Sequence, residues 1–360
     1  MTDYTIELWD INGQMVMDVS AIASNRGYSL KLNDVENISF DLDLVQFERL
    51  CQKINTPPRT VLFPARTEVR IRRNGQYVVG GQVVKITPTI NENGSSIAVQ
   101  ADGYLNYFLQ RFIKKTWTNT DRSQIAWNAI STTQGQANGS FGITRGVLAT
   151  TMNSDRIADY DEIKDIITDF TWHAGASPTA NYDFEFTPEK VFNTYNRKGS
   201  DKPEIMLVYP QNIKSLSDVI DGSTVANKII GIGSGMGDER IETIKTDVPS
   251  QIDYRVREKK QVFNSASVMA TLENNTKGVL DLYRQTLEIP EVQLEPGAID
   301  LNTVQTGDSV YVRVEGIDYL NNIDGMFRIN SIDVKIDEND SEDVAIKFYN
   351  PKDGGALDEG

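Results

Sequence analysis

The chain has 360 residues, room for two or three domains that each bury a core, and its 39% hydrophobic and 24% charged residues are those of a folded globular protein. A net charge of −15 excludes wrapping nucleic acid as a main task, because neutralising phosphates takes clustered Lys and Arg. Nowhere do about 18 apolar residues run together, and MTDYTIELWD has neither a basic nor an apolar leader region, so we expect no membrane-spanning segment and no signal peptide.

The single cysteine, Cys51, follows Leu50 in a mixed segment and reads as a small core residue of a protein folded in a reducing cytoplasm. Residues 59–73 carry five arginines against Glu68, and Val69, Arg70, Ile71 and Arg72 alternate as a strand with one wet face does. The arginines are therefore expected to be solvated, with contact to an acidic partner as the alternative. Strands are predicted at Glu68–Arg72 and Gln82–Ile86, and Asn93-Gly94 then signals a tight hairpin, since its turn needs two residues that tolerate positive φ.

The middle of the chain turns helical. Thr120 or Asp121 can cap a helix holding Ile125, Ala126, Ala129 and Ile130, with Gly135 as its stop. Asp159 followed by Glu162 has capping-box spacing, and Tyr160, Ile163, Ile166, Ile167 and Phe170 recur at helical spacing as far as Gly175. The only histidine, His173, sits near the end of that predicted helix, where the dipole favours a structural role over that of a catalytic base. Trp9, Trp117, Trp127 and Trp172 fall in amphipathic segments and read as core.

The stretch IIGIGSGMGDER puts Gly231, Gly233, Gly235 and Gly237 at alternate positions, which matches neither G-x-G-x-x-G nor a P-loop, and no Lys follows. A sharp turn after a buried strand is the reading that remains. A helix is predicted over about 265–287, with Val268, Met269, Leu272, Val279, Leu280, Tyr283 and Leu287 on one face and Pro290 ending it.

Residues 307–350 repeat the pattern of residues 65–104. INENGSSIAVQ resembles IDENDSEDVAIK, so that Ile90 matches Ile336, and strands are predicted at Ser309–Val314 and Met326–Ile332. The run DENDSED places Asp337, Asn339 and Ser341 at calcium-loop positions 1, 3 and 5. Glu342 then stands where the turn needs Gly and Phe348 where a bidentate Glu belongs, so the carboxylates read as a solvated hairpin tip. No catalytic, cofactor-binding or metal residue is expected, although a pair of glycosidase carboxylates is compatible with any chain this acidic. Residues 291–360 alone carry 16 acidic and 5 basic side chains, a net of −11.

Two β units around a helical middle, then VANKIIGIGSGMGDER, a helix with LDLYRQTL, and VQTGDSVYVRVEG, GMFRINSIDVKI and VAIKFYNP resemble the tail hub family of tailed bacteriophages. The family includes the baseplate hub of contractile tails and the structural N-terminal part of the tail-associated tail tip protein. Gly307-Asp308 and Gly325-Met326-Phe327-Arg328-Ile329 carry the resemblance most strongly. It implies an α+β, mainly β fold with two tail-tube-like β-barrel domains and a helical/α+β middle region. The expected parts are a first barrel at 1–115, the middle domain at 116–225, a strand region re-entering the second barrel at 226–262, a helix at 263–290, and the second barrel segment with its acidic tail at 291–360. The implied role is a homotrimeric hub that closes the tail tube, with no enzymatic activity and no cofactor. Its partners would be a distal tail protein or tube hexamer and tip, fibre or tape-measure proteins, and it would touch DNA only transiently. Such a protein is assembled in the host bacterial cytoplasm and resides in the virion. The other readings are a receptor- or carbohydrate-binding tail protein and a cell-wall hydrolase.

Overall fold

Alternating apolar residues build most of the chain into strands, and the computed structural model describes residues 2–92, 94–171, 181–235, 240–263 and 266–349. The first unit contains β1 (Tyr4–Trp9), β2 (Met15–Asp18), β3 (Ala23–Lys31), β4 (Asn37–Asp43), β5 (Glu68–Arg73), β6 (Gln76–Asn91) and β7 (Gly94–Gly103). Their order is β3-β4-β7-β6-β5-β1-β2, every pair antiparallel. Helices α1 (Leu44–Lys53) and α2 (Pro58–Val61) follow β4. Asp43 caps α1 by accepting from the Gln46 N–H, and the helix turns Phe47 and Cys51 inward. The hairpin expected at Asn93-Gly94 joins β6 to β7; Asn93 itself lies outside the described residues.

The middle region comprises β8 (Phe112–Asp121), α3 (Arg122–Gln134), β9 (Thr144–Arg145), β10 (Asn153–Glu162), α4 (Ile163–Thr168), β11 (Asp183–Phe186) and β12 (Val191–Tyr195). The α3 helix is the one expected: Asp121 accepts from the N–H groups of Ser123 and Gln124, Ile125, Ala126, Ala129 and Ile130 are buried, and Gly135 follows. The second helix differs. Asp159 and Tyr160 lie in β10, whose ladder with β8 runs to Glu162, so helix forms only from Ile163 and no capping box exists. The Glu162 carboxylate instead accepts from the Gln110 N–H at 2.7 Å. Strand pairing satisfies more backbone groups here than one more helical turn would. Trp172, His173 and Gly175 lie outside the described residues.

The second unit begins earlier than the sequence suggested. β13 (Asp201–Tyr209) and β14 (Ile213–Asp221) fall within the expected middle region at 116–225, yet they pair with β19 (Ser309–Val314) and β18 (Leu287–Leu294). With β20 (Asp324–Ile336) and β21 (Glu342–Phe348) the order is β14-β18-β21-β20-β19-β13. Between β14 and β18 the chain makes a separate small layer: β15 (Lys228–Ile232), β16 (Glu242–Thr246), α5 (Val248–Tyr254), β17 (Glu258–Val262) and α6 (Met269–Tyr283). The described residues of 226–262 therefore do not re-enter the second unit, because among the described residues β15 pairs with β16 and β17 alone and buries Ile229 under Leu272 and Val279 of α6. The α6 helix is also shorter than 265–287, since the chain must leave it to pair with β14, and Pro290 sits in β18 opposite Asp218.

One ladder joins the two units into a 13-stranded sheet: β20 pairs with β3, antiparallel, from Ser331 opposite Lys31 to Ile336 opposite Arg26. Their apolar faces share one core, while the middle region and the small layer each have their own.

Candidate functional site

Cys51 and two of the clustered glycines serve packing, and His173 lies outside the described residues. Cys51 is buried, and burial pushes its thiol pKa up. A Cβ at Gly231 would lie 1.9 Å from Thr276 Oγ1 of α6, and one at Gly233 would lie 2.6 Å from the Ala266 carbonyl oxygen. These glycines let helix and strand approach; Gly235 holds φ +114°, and Gly237 lies outside the described residues. Trp117 is buried, whereas Trp9 and Trp127 are half-buried. Among the described residues no group of three His, Cys, Asp or Glu side chains is placed to hold a metal ion, and no helix is long and apolar enough to cross a membrane.

Of the five arginines, Arg59 and Arg66 are exposed as expected, but the strand that carries the other three is not a wet face. Arg70 and Arg73 are buried, Arg70 stacks 4.1 Å over the Trp9 ring, and Arg72 meets Glu7 at 3.1 Å while lying over Tyr77. Glu7 in turn accepts from Trp9 Nε1 at 3.0 Å and from the Tyr77 hydroxyl at 2.9 Å. Pairing with β1 and β6 takes up both edges of β5, Val69 and Ile71 face the core, and the Trp9 and Tyr77 rings from the neighbouring strands cover Arg70 and Arg72 on the other face.

The hairpin 337–343 is not a free solvated tip either. Asp337 accepts from the N–H groups of Asn339 and Ser341, both at 2.8 Å, which closes the turn. Asp340 pairs with Arg26 of β3 at 2.8 Å. Glu342 takes Arg73 and the Tyr4 hydroxyl, each at 2.6 Å. The turn thus folds back across the seam between the units and locks it.

A second seam holds the middle region to the first unit. Glu68 of β5 accepts from the Tyr107 hydroxyl at 2.6 Å and from Lys190, whose Nζ also reaches the Phe141 carbonyl oxygen at 2.9 Å. Burial lowers the Lys190 pKa, opposed by the Glu68 charge. Asp308, fully buried, accepts from the N–H groups of Ser200 and Gln305, both at 2.9 Å, and pairs with Lys202 at 2.8 Å. Its neighbour Gly307 has φ +93° and no space for a Cβ beside Lys198. Arg328 donates to the buried Asp183 of β11. The Gly-Asp and Phe-Arg-Ile motifs are thus fixed by structural needs.

The two units agree in detail. In the ladder of β6 with β7 a bulge falls between Val83 and Lys85; in that of β20 with β21 it falls between Ile329 and Ser331, the positions matched when Ile90 is set on Ile336. The Val83 N–H donates to the Thr67 oxygen at 2.9 Å and the Ile329 N–H to the Asp308 oxygen at 2.7 Å. Phe40 and Leu42 of β4 are buried as Val292 and Leu294 of β18 are. They differ at one edge. Beyond β19, the same edge of β20 carries β3; beyond β5, residues 84–91 of β6 carry no strand among those described. At the far end of the sheet, the outer edge of β14 is likewise without a strand among those described. Ile90 is 79% exposed, Val219 60% and Ile220 43%. The sequence reading missed β13 and β14, hence this second edge; the alternation in residues 213–221 was the signal available.

No protein-family model matches the chain, and none of the curated proteins does. Solved structures do. The prophage MuSo2 43 kDa tail protein from Shewanella oneidensis is 14% identical with a TM-score of 0.66, the alignment covering 97% of this chain and 99% of that one. The tail protein from Neisseria meningitidis is 11% identical with a TM-score of 0.67, over 98% and 99%. The prophage tail protein gp18 from Listeria monocytogenes is 12% identical with a TM-score of 0.58, over 96% and 95%. Across its whole length, then, this chain has the fold of bacteriophage tail proteins, the fold that its resemblance to the tail hub family implies.

Proposed function

We propose that the protein is a structural tail component: a homotrimeric hub that closes the distal end of a phage tail tube, joins it to tip or baseplate proteins, and lets DNA pass at ejection. The observation that carries this reading is the duplication, repeated down to the position of a bulge. Three chains with two such units each present six similar surfaces, which lets a threefold object mate with a sixfold tube. The charge of −15 suits a passage that must not hold phosphates. Its partners are then a distal tail protein or tube hexamer on one side and tip, fibre or tape-measure proteins on the other. Its place is the virion, after assembly in the host cytoplasm. The test is the copy number in purified virions by quantitative mass spectrometry and electron microscopy. Three copies per tail are expected, and six would overturn the hub reading. Clearing of cell-wall suspensions by the pure protein would favour the hydrolase instead.

A further inference from the structure

The seam between the two units is also a template for contact between copies. The β20·β3 ladder exists because the edge of β20 past its bulge is open and β3 fits it. The first unit has the same open edge on β6, and the second has the counterpart of β3 in β14, since Gly27 pairs with Ser39 of β4 as Ser217 pairs with Glu291 of β18. Within one chain these two edges lie at different units and neither carries a strand among those described.

We propose that β6 of one copy pairs antiparallel with β14 of a second copy, reproducing between copies the ladder that β20 and β3 form within one. Carrying the register across sets Lys85 opposite Asp221, Ile86 opposite Ile220, Thr87 opposite Val219, Pro88 opposite Asp218, Thr89 opposite Ser217 and Ile90 opposite Leu216. Nothing in the duplication required these side chains to match, yet three of the six pairs do, one by charge and two by apolar contact, whereas Pro88 faces the Asp218 carboxylate. Lys85 meets a carboxylate, and the Ile86–Ile220 and Ile90–Leu216 pairs, with Ile90 and Ile220 exposed and Ile86 and Leu216 half-buried, bring apolar groups together on the face that is core in β20. Two positions past the ladder Glu92 comes level with Lys214, an opposite-charge pair near its end as Asp340 and Arg26 are near the end of the internal seam. Cross-strand pairs of opposite charge or apolar type each add roughly 0.2–1 kcal/mol. Pro88 has no N–H, so where its nitrogen faces outward the ladder holds one bond fewer than its internal counterpart. Each copy offers one edge of each kind, so the contact is head-to-tail, and it makes a ring where its rotation closes. The ring's closure at three copies rests on the hub reading; the pairing itself does not.

The test uses full-length chains in assembled tails, in a C51A background. Thr87→Cys with Val219→Cys places two thiols directly opposite, ~4.5–5.5 Å apart at Cβ, within reach of a disulfide after small adjustment. Oxidised tails should yield covalent trimers on non-reducing gels, while the off-register pair Thr89→Cys with Asp221→Cys should stay monomeric. In a second arm, Lys85→Glu should block assembly and Lys85→Glu with Asp221→Lys should restore it. Three copies per tail with no in-register cross-link and no charge-swap rescue would overturn the pairing, leave the hub reading intact, and identify Lys85 and Pro88 as mere guards of a solvated edge. A different copy number with the in-register cross-link would overturn the hub reading and leave the pairing.

Discussion

The guanidinium of Arg73, the last residue of β5, meets the carboxylate of Glu342, the first residue of β21, through two contacts of 2.6 and 3.1 Å. Arg73 also donates to Asn302 at 2.8 Å, and the Arg73 and Glu342 side chains are only 8% and 16% exposed. Replacing Glu342 by Gln should strand a buried cation and cost on the order of 2–4 kcal/mol, measured by urea unfolding. Replacing both residues by apolar ones of similar volume should recover most of that loss. A Glu342→Gln variant as stable as the parent would show that the pair does not hold the seam.

Lys190 and Glu68 form the corresponding lock between the middle region and the first unit. Lys190→Met leaves Glu68 with the Tyr107 hydroxyl as its close donor and with Arg70 3.8 Å away, and should cost about 2–4 kcal/mol. Hydrogen exchange should rise first in β11 and β12 rather than in β6 and β7. Uniform acceleration across the chain would contradict a local role.

Glu36, in the link from β3 to β4, has its carboxyl pKa pushed up to about 8 by burial, with Glu185 adding to the rise and Lys198 and Lys31 opposing it. The folded state therefore binds a proton that the unfolded state releases near pH 4.5. Its contribution is fully present below that value and is lost as pH rises towards 8. Glu36→Gln should raise stability at pH 8 by about 1–2 kcal/mol, an amount reduced for partial solvent access, and leave it nearly unchanged at pH 4. Thermal melts across this range check the slope.

At Gly231 any side chain collides with Thr276. Gly231→Ala should destabilise the β15–α6 layer by roughly 1–3 kcal/mol, with partial rescue by Thr276→Ala. A silent Gly231→Ala would reopen the question of why a glycine stands there.

Charge in the passage makes the remaining prediction. Of the hairpin carboxylates, Asp337 closes the turn and Asp340 and Glu342 lock the seam, while Glu338 and Asp343, the latter exposed although it accepts from Gln293, are the candidates for a role towards DNA. If they line the bore, Glu338→Lys with Asp343→Lys should give virions that adsorb normally but eject slowly, with relief by added salt. Unchanged ejection at low ionic strength would place the turn away from the DNA path.

Local patterns were the legible part of this chain. The duplicated strands, the Asp121 cap and the Leu272, Val279 and Leu280 face of α6 follow from alternation, a short acceptor at the cap and helical spacing, all of which act over a few residues, whereas Val268 and Met269, expected on that face, are exposed and Leu287 lies in β18. The errors share one cause, partners that arrive from far along the chain. Arg70 and Arg72 alternate with Val69 and Ile71 as solvated residues do, and it is Trp9, Tyr77 and Glu7, brought by other strands, that cover and pair them. Likewise, β10 won residues 159–162 from a plausible helix because β8 was there to pair with it. The two open edges were the least legible, since an edge is defined by a strand that another element lacks.

The β20·β3 ladder also sets an order of events on the ribosome. β3 is complete at Lys31, but its partner begins at Ser331, so synthesis of nearly the whole chain separates the two. Throughout that interval the nascent first unit exposes two adhesive borders, β3 and β6, and on a polysome many such borders crowd together. Arg26 and Lys31 on one border, and Lys85 and Pro88 on the other, are residues that discourage premature pairing. Two of them, Arg26 and Lys31, become part of the finished seam when the C-terminal strands arrive.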